Sequence, residues 1–163
     1  MRMFVALLAL GLAVSAFAPV LPARAGEVYE NARFGFALTV PDTFRGHGES
    51  ANGDGQAFFQ AGRPSRLSAW GGFITGQKDF AALAAWTVQQ DRDRGWAIVD
   101  ETRTPTWANW SASKGGRVLY QRMIALCGEG RYAAFRMEYS QADRIEIDRM
   151  IERLAPSLRS TDC

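Results

Sequence analysis

Residues 117–140 read RVLYQRMIALC-GEG-RYAAFRMEYS. Each flanking run has the length of a strand, and Gly128-Glu129-Gly130 between them is hairpin-length punctuation. In the second run Ala133, Phe135, Met137 and Tyr139 occupy alternate positions, the period that buries one face of a strand. Strands joined by so short a turn run antiparallel. Upstream, Lys114-Gly115-Gly116 separates a strand over Thr106 to Ser113 from the one beginning at Arg117, and Trp96 to Thr102 supplies another.

Working outward, Gln56 to Ala61 and Leu67 to Thr75 form a further expected hairpin around Gly62-Arg63-Pro64-Ser65. Glu27 to Val40 reads as a turn followed by a strand in which Phe34, Phe36, Leu38 and Val40 alternate, ended by Pro41. Residues 42–55 read as a polar, glycine-rich loop with Phe44 as its anchor. Two helices are expected. The first covers Asp79 to Arg94, with Phe80, Leu83, Ala84 and Val88 at three-and-four spacing, Trp86 flanking them and Gly95 as the stop. The second covers about Ala142 to Leu158, with Ile147, Met150, Ile151 and Leu154 on its buried face and Pro156 bending or ending it. The order predicts an α+β fold: a mostly antiparallel sheet of about six or seven strands sandwiched by two helices.

The N-terminus has its own pattern. A basic start at Met1-Arg2-Met3, an apolar run from Phe4 to Ala18 and the triplet Ala23-Arg24-Ala25 match the three parts of a secretory signal peptide. Pro19, Pro22 and the cleavable triplet argue against a membrane anchor, and no cysteine near the cleavage point offers a lipid site. Residues 1–25 are therefore expected to be removed, leaving 26–163 as one globular domain in the periplasm or outside the cell. Loss of Arg2 and Arg24 reduces 19 basic residues to 17 against 17 acidic ones. A formally neutral domain carries no electrostatic footprint for nucleic acid or an anionic membrane.

Two cysteines remain, Cys127 and Cys163. An even count in an exported chain reads as one disulfide. Their wide separation does not suit a redox-active pair, which uses closely spaced cysteines.

Beyond these features, Tyr29-Glu30-Asn31-Ala32-Arg33-Phe34-Gly35-Phe36, Pro41 and Asn52-Gly53-Asp54-Gly55 resemble the opening of small exported bacterial proteins of PsbP-like fold. The resemblance continues through Gly116-Arg117-x-x-Tyr120, Tyr139 and the helix end at Ser157-Leu158, so it spans most of the domain. That fold is shared by the PsbP subunit of the photosynthetic oxygen-evolving complex and the Ran-binding Mog protein. The resemblance implies an α-β-α sandwich and a non-enzymatic binding or assembly role, and it transfers no catalytic residue. Ran and photosystem binding do not carry over with it.

No complete catalytic or metal constellation is present, and no cofactor is expected. Asn52-Gly53-Asp54-Gly55 lacks an EF-hand frame, because Ser50 and Ala61 would fall at its first and last places. It reads as a tight turn. Ser111-Ala112-Ser113-Lys114 matches a penicillin-binding S-x-x-K by coincidence, since it lies at a strand end rather than a helix start. His47 is the sole histidine and reads as a solvated loop residue. Asp91-Arg92-Asp93-Arg94 reads as a solvated helix end.

Trp107 and Trp110, an odd number of places apart, are expected on opposite sides of a strand, one in the core and one exposed. Trp70 and Trp96 are expected under helices. A binding surface is accordingly placed on His47, Asn52 and Asp54 of the loop Gly46 to Gly55, together with the exposed member of the pair Trp107 and Trp110. The expected function is an accessory or binding module for an envelope protein or small ligand. A small hydrolase built on His47 and a structural envelope protein with no specific ligand are the alternatives.

Overall fold

The computed structural model describes residues 26–128 and 130–163; the signal-peptide expectation concerns 1–25, outside the described residues. The described residues begin with a hairpin, β1 (Glu27–Asn31) and β2 (Phe36–Val40). Five strands and a helix follow: β3 (Phe44–Glu49), β4 (Gly55–Gln60), β5 (Arg66–Phe73), α1 (Phe80–Asp93), β6 (Ala97–Arg103) and β7 (Trp107–Lys114). The chain ends with β8 (Arg117–Ala125), β9 (Arg131–Ser140), a 3-10 turn over Gln141–Asp143, α2 (Arg144–Ser157) and β10 (Arg159–Ser160).

Two sheets result. The larger is seven-stranded and antiparallel, in the order β3-β4-β5-β9-β8-β7-β6, and the smaller is β1-β2-β10. The hairpins at β4-β5, β7-β8 and β8-β9 are those the glycine-rich turns predict, and the count of strands in the main sheet agrees. The α+β sandwich is confirmed, with the addition of the small second sheet.

Two expectations are corrected. Residues 42–55 are not all loop, since Phe44–Glu49 forms the edge strand β3 against β4. Only Phe44 of that strand is buried. The strand exists through backbone pairing, so its polar side chains carry no apolar alternation. Residues 27–31 likewise form a strand rather than a turn, paired to β2 on the sheet's small outlier.

Each helix covers half of one face of the main sheet. α1 packs on β6 and β7 and closes a core of Phe80, Leu83, Ala84, Val88, Trp110, Leu119 and Met123. Its start is fixed by Asp79, whose carboxylate accepts from the Ala82 amide at 2.8 Å. Gly95, at φ +85°, ends it in a backbone region that favours glycine. On the opposite face α2 and the small sheet enclose Phe36, Leu38, Phe58, Leu67, Phe135, Ile147 and Leu154. Pro156 lies inside the last turn of α2, which stops one residue later.

Among the described residues, the offset of the two layers leaves β3 and β4 uncovered on the α1 side. Register places Arg45, Phe59 and Arg66 in one row across β3, β4 and β5, with Ala57 and Ser68 in the next. Phe59 and His47 meet edge to face on this bare surface, ring centroids 4.8 Å apart.

Close strand approach is set by Gly55. A Cβ there would lie 2.1 Å from the Ala69 carbonyl oxygen and 2.7 Å from the Trp70 Cα, both backbone atoms that cannot swing aside. Gly55→Ala is expected to destabilise the domain by about 2 kcal/mol, read as a lower urea midpoint with an unchanged m-value.

Candidate functional site

The feature with the most chemistry lies where α1 ends over the middle of the main sheet. Asp91, in the last turn of α1, is only 1% exposed. Helix phase puts it there: it follows Val88 by three positions and Ala84 by seven, so it continues the apolar stripe. The expectation that residues 91–94 form a solvated end fails at Asp91, while Arg92, Asp93 and Arg94 are exposed.

A carboxylate so placed needs partners. Arg136 Nη1 donates to both Asp91 oxygens, at 2.9 and 3.1 Å. The buried Trp110 indole donates Nε1–H to Asp91 Oδ2 at 2.8 Å. Arg136 Nη1 also reaches the Oε1 of Gln121 at 3.0 Å, and its Nε donates to Glu138 Oε1 at 2.7 Å. Arg117 lies 3.7 Å from the other Glu138 oxygen. The Arg136 guanidinium sits 5.7 Å from the Trp96 ring centre. Four elements thus converge on one cluster: α1 gives Asp91, β7 gives Trp110, β8 gives Gln121, and β9 gives Arg136 and Glu138.

This cluster floors an open cleft of about 660 Å³ lined by Trp70, Trp96, Gln121, Arg136, Arg94 and Lys114, with Thr87, Asp91 and Glu138. The two tryptophans supply flat apolar wall, and the rest supplies charged and neutral polar groups. Seven of the nine lining residues are polar or charged, so the cleft is more polar than the mostly apolar pockets usual for small molecules and suits a charged ligand.

The residues singled out from the sequence are placed elsewhere. Trp107 and Trp110 do face opposite sides of β7, but Trp110 is 0% exposed. Its indole is spent on Asp91, so it offers no surface to a partner, which corrects its inclusion in a binding face. Trp107 is half-buried beneath the Arg122 guanidinium, 5.1 Å from the ring centre. Three strands, β5, β9 and β8, separate it from the β3-β4 loop. The loop and Trp107 therefore do not share one surface.

Within the loop, Asn52 Nδ2 donates to Asp54 Oδ2, Ser50 Oγ accepts from the Asp54 and Gly55 amides, and Arg33 pairs with Asp54 at 3.1 Å. These groups satisfy one another and hold a turn. Asn31 ties that turn to the small sheet by donating to the Gly53 carbonyl at 2.8 Å. Beside it Tyr29 donates to Glu49 at 2.9 Å, and burial pushes the Tyr29 hydroxyl up to about 12. Burial, and then donation to Asp148 at 2.6 Å, also raises Tyr139 on the far side of the core.

His47 is exposed on β3 rather than in a loop, and among the described residues no hydrogen bond or ion pair engages it. Nor do three or more His, Cys, Asp or Glu residues there gather in a way that could hold a metal ion. Cys127 and Cys163 are joined, with Cα atoms 6.0 Å apart. No helix among the described residues is long and apolar enough to cross a membrane.

With this geometry in hand, the chain can be set beside known proteins. It is similar to cyanobacterial PsbP (CyanoP) from Synechocystis sp. PCC 6803, with a TM-score of 0.63 at 12% identity over 89% of this chain and 98% of that one. The fold is PsbP/Mog1-like. The Ran-binding protein Mog1p of Saccharomyces cerevisiae matches with the same TM-score, at 8% identity over 85% of this chain and 97% of its own. No protein-family model matches the sequence, and no curated protein is significantly similar to it. At such identities the PsbP/Mog1-like fold transfers architecture and no residue roles. Asp91 and its partners are assigned from this chain alone.

The sequence signal that locates the cluster is the helical phase of Asp91. Its partner Arg136 lies 45 positions away, and no local pattern joins them.

Proposed function

We propose that this chain is a non-enzymatic binding protein, exported on the leader at residues 1–25, that serves an envelope protein or small ligand from the periplasm or cell exterior. The observation that carries the proposal is the cleft. A buried ion pair on its floor, with Trp70 and Trp96 on its walls, is a costly arrangement for a surface with nothing to bind. A buried pair is weak support for stability, since apolar residues of similar volume usually serve as well. The disulfide is in keeping with an oxidising compartment, and the fold serves protein binding in the Ran-binding Mog1p. The hydrolase alternative gains nothing, because His47 has neither nucleophile nor carboxylate bonded to it among the described residues.

The test is thermal unfolding of residues 26–163, disulfide formed, against small-molecule fractions of an envelope extract, with Trp96→Ala in parallel. A ligand at a hundred times its Kd adds about 2.7 kcal/mol, seen as a rise of several degrees in Tm. That rise, absent in the variant, is the expected result. A parent and variant that respond alike to every fraction would remove the cleft as the binding site.

A further inference from the structure

Gln121 is 1% exposed, and its two amide atoms have different fates. Its Oε1 accepts from Arg136 Nη1, while its Nε2 has no hydrogen-bond partner. The orientation follows from chemistry. A guanidinium has donors only, so the amide must turn its oxygen to Arg136 and leave its NH₂ as the free end. An unsatisfied buried donor costs about 1–3 kcal/mol, and Gln121 is one of the residues lining the cleft.

The charges around it are unequal in the same sense. Both carboxylates of the cleft are engaged by Arg136: Asp91 by its Nη1 and Glu138 by its Nε. The cations Arg94 and Lys114 also line the cleft, and among the described residues neither has a carboxylate partner. Lys114 Nζ donates once, to the Arg94 carbonyl at the end of α1, which leaves two of its protons for another acceptor. Both carboxylates of the cleft are thus matched by an arginine, whereas among the described residues two of its three cations have no carboxylate, and the cleft carries excess positive charge.

Resting on the cleft as the binding site, we propose that it takes a small aromatic anion. The acid group (carboxylate, sulfonate or phosphate) accepts from Arg94, Lys114 and Gln121 Nε2, and the flat ring lies against the tryptophan walls formed by Trp70 and Trp96. The volume suits a single small molecule rather than a folded partner.

Anilinonaphthalene sulfonate and its uncharged parent, N-phenylnaphthylamine, share the ring system and differ in the acid group, so they are the probes. Titration of the disulfide-bonded domain is expected to give one site for the sulfonate, bound at least about tenfold more tightly than the neutral amine. That ratio is what one charge-assisted hydrogen bond contributes. The double variant Arg94→Gln/Lys114→Gln, both at exposed positions, is expected to abolish the preference and leave binding of the amine unchanged. Trp96→Ala is expected to weaken both. Equal binding of the two probes by the parent overturns the anion assignment and leaves the cleft as a ligand site. Failure of Trp96→Ala to affect either probe overturns both.

Discussion

Asp91→Leu is expected to lower the stability of the domain by about 3 kcal/mol, the lower end of the range for breaking a buried ion pair from one side. The lower end applies because Arg136 keeps Glu138 at 2.7 Å when Asp91 is gone. The loss has two parts. The Arg136 guanidinium, 18% exposed, is left short of its counter-charge, and the Trp110 indole N–H loses its acceptor inside the core. Arg136→Met alone is expected to cost a similar amount, since it leaves the Asp91 carboxylate buried with Trp110 as its remaining donor. The informative variant is the double, Asp91→Leu/Arg136→Met. Two apolar side chains then replace two charges; the Trp110 N–H and the Gln121 amide oxygen lose their partners, and the part-exposed Glu138 keeps only Arg117, 3.7 Å away. The double should fall short of the sum of the singles by at least about 2 kcal/mol. Urea unfolding of the four proteins measures this directly. Singles that add up would mean that Asp91 and Arg136 do not act as a pair, and the account of the cleft floor would have to be abandoned.

Opening the disulfide is expected to have an effect of comparable size and a different location. Cys127 and Cys163 are 36 positions apart, and closing a loop of that length is worth about 4 kcal/mol in the chain-entropy model. The bond clips the C-terminus to the turn between β8 and β9. The same junction is held by Arg131, which donates to the Cys127 carbonyl and lies 3.4 Å from Asp162. Two further ties remain without it: β10 pairs with β2 at Arg159↔Ala37 and Ser160↔Phe36, and the Thr161 amide donates to the Gly35 carbonyl at 2.9 Å. Cys163→Ser, or reduction under native conditions, should therefore free the tail while the main sheet stays intact. Trypsin cleavage after Arg159 and fast exchange at the Ser160 and Thr161 amides are the expected signs, with guanidinium unfolding reporting the global loss. A reduced protein as resistant at Arg159 as the oxidised one would show that β10 alone fixes the tail.

Both variants act at long-range contacts, which is where reading the chain and seeing it folded part company. The alternation of Ala133, Phe135, Met137 and Tyr139, the glycine turns at 114–116 and 128–130, and the stripe Phe80-Leu83-Ala84-Val88 are local patterns. Each reports the period of its own element, and the elements formed where those periods place them. The polar strand β3 was not legible because an edge strand held by backbone pairing needs no apolar face. Its single buried residue, Phe44, is too little pattern to tell from a loop anchor. Asp91 was half legible: its helical phase is in the sequence, but four alternating charges in a row mask it.

The sequence by itself determined the strands of the main sheet other than β3, the hairpins β4-β5, β7-β8 and β8-β9, the phase of both helices, the opposite facing of Trp107 and Trp110, and two cysteines available to pair. These depend on interactions within a few residues, or on one-dimensional periodicity that burial then enforces. Only the tertiary structure decided that β5 pairs with β9 across α1 and β6–β8. That crossover brings Arg136 beneath Asp91, sends the Trp110 side chain inward, and leaves Trp70 and Trp96 lining an open cleft. Which charges meet, and which donors are left over, follows from the order of strands in the sheet. Side-chain chemistry at one position carries no record of what a strand 45 residues away will place against it.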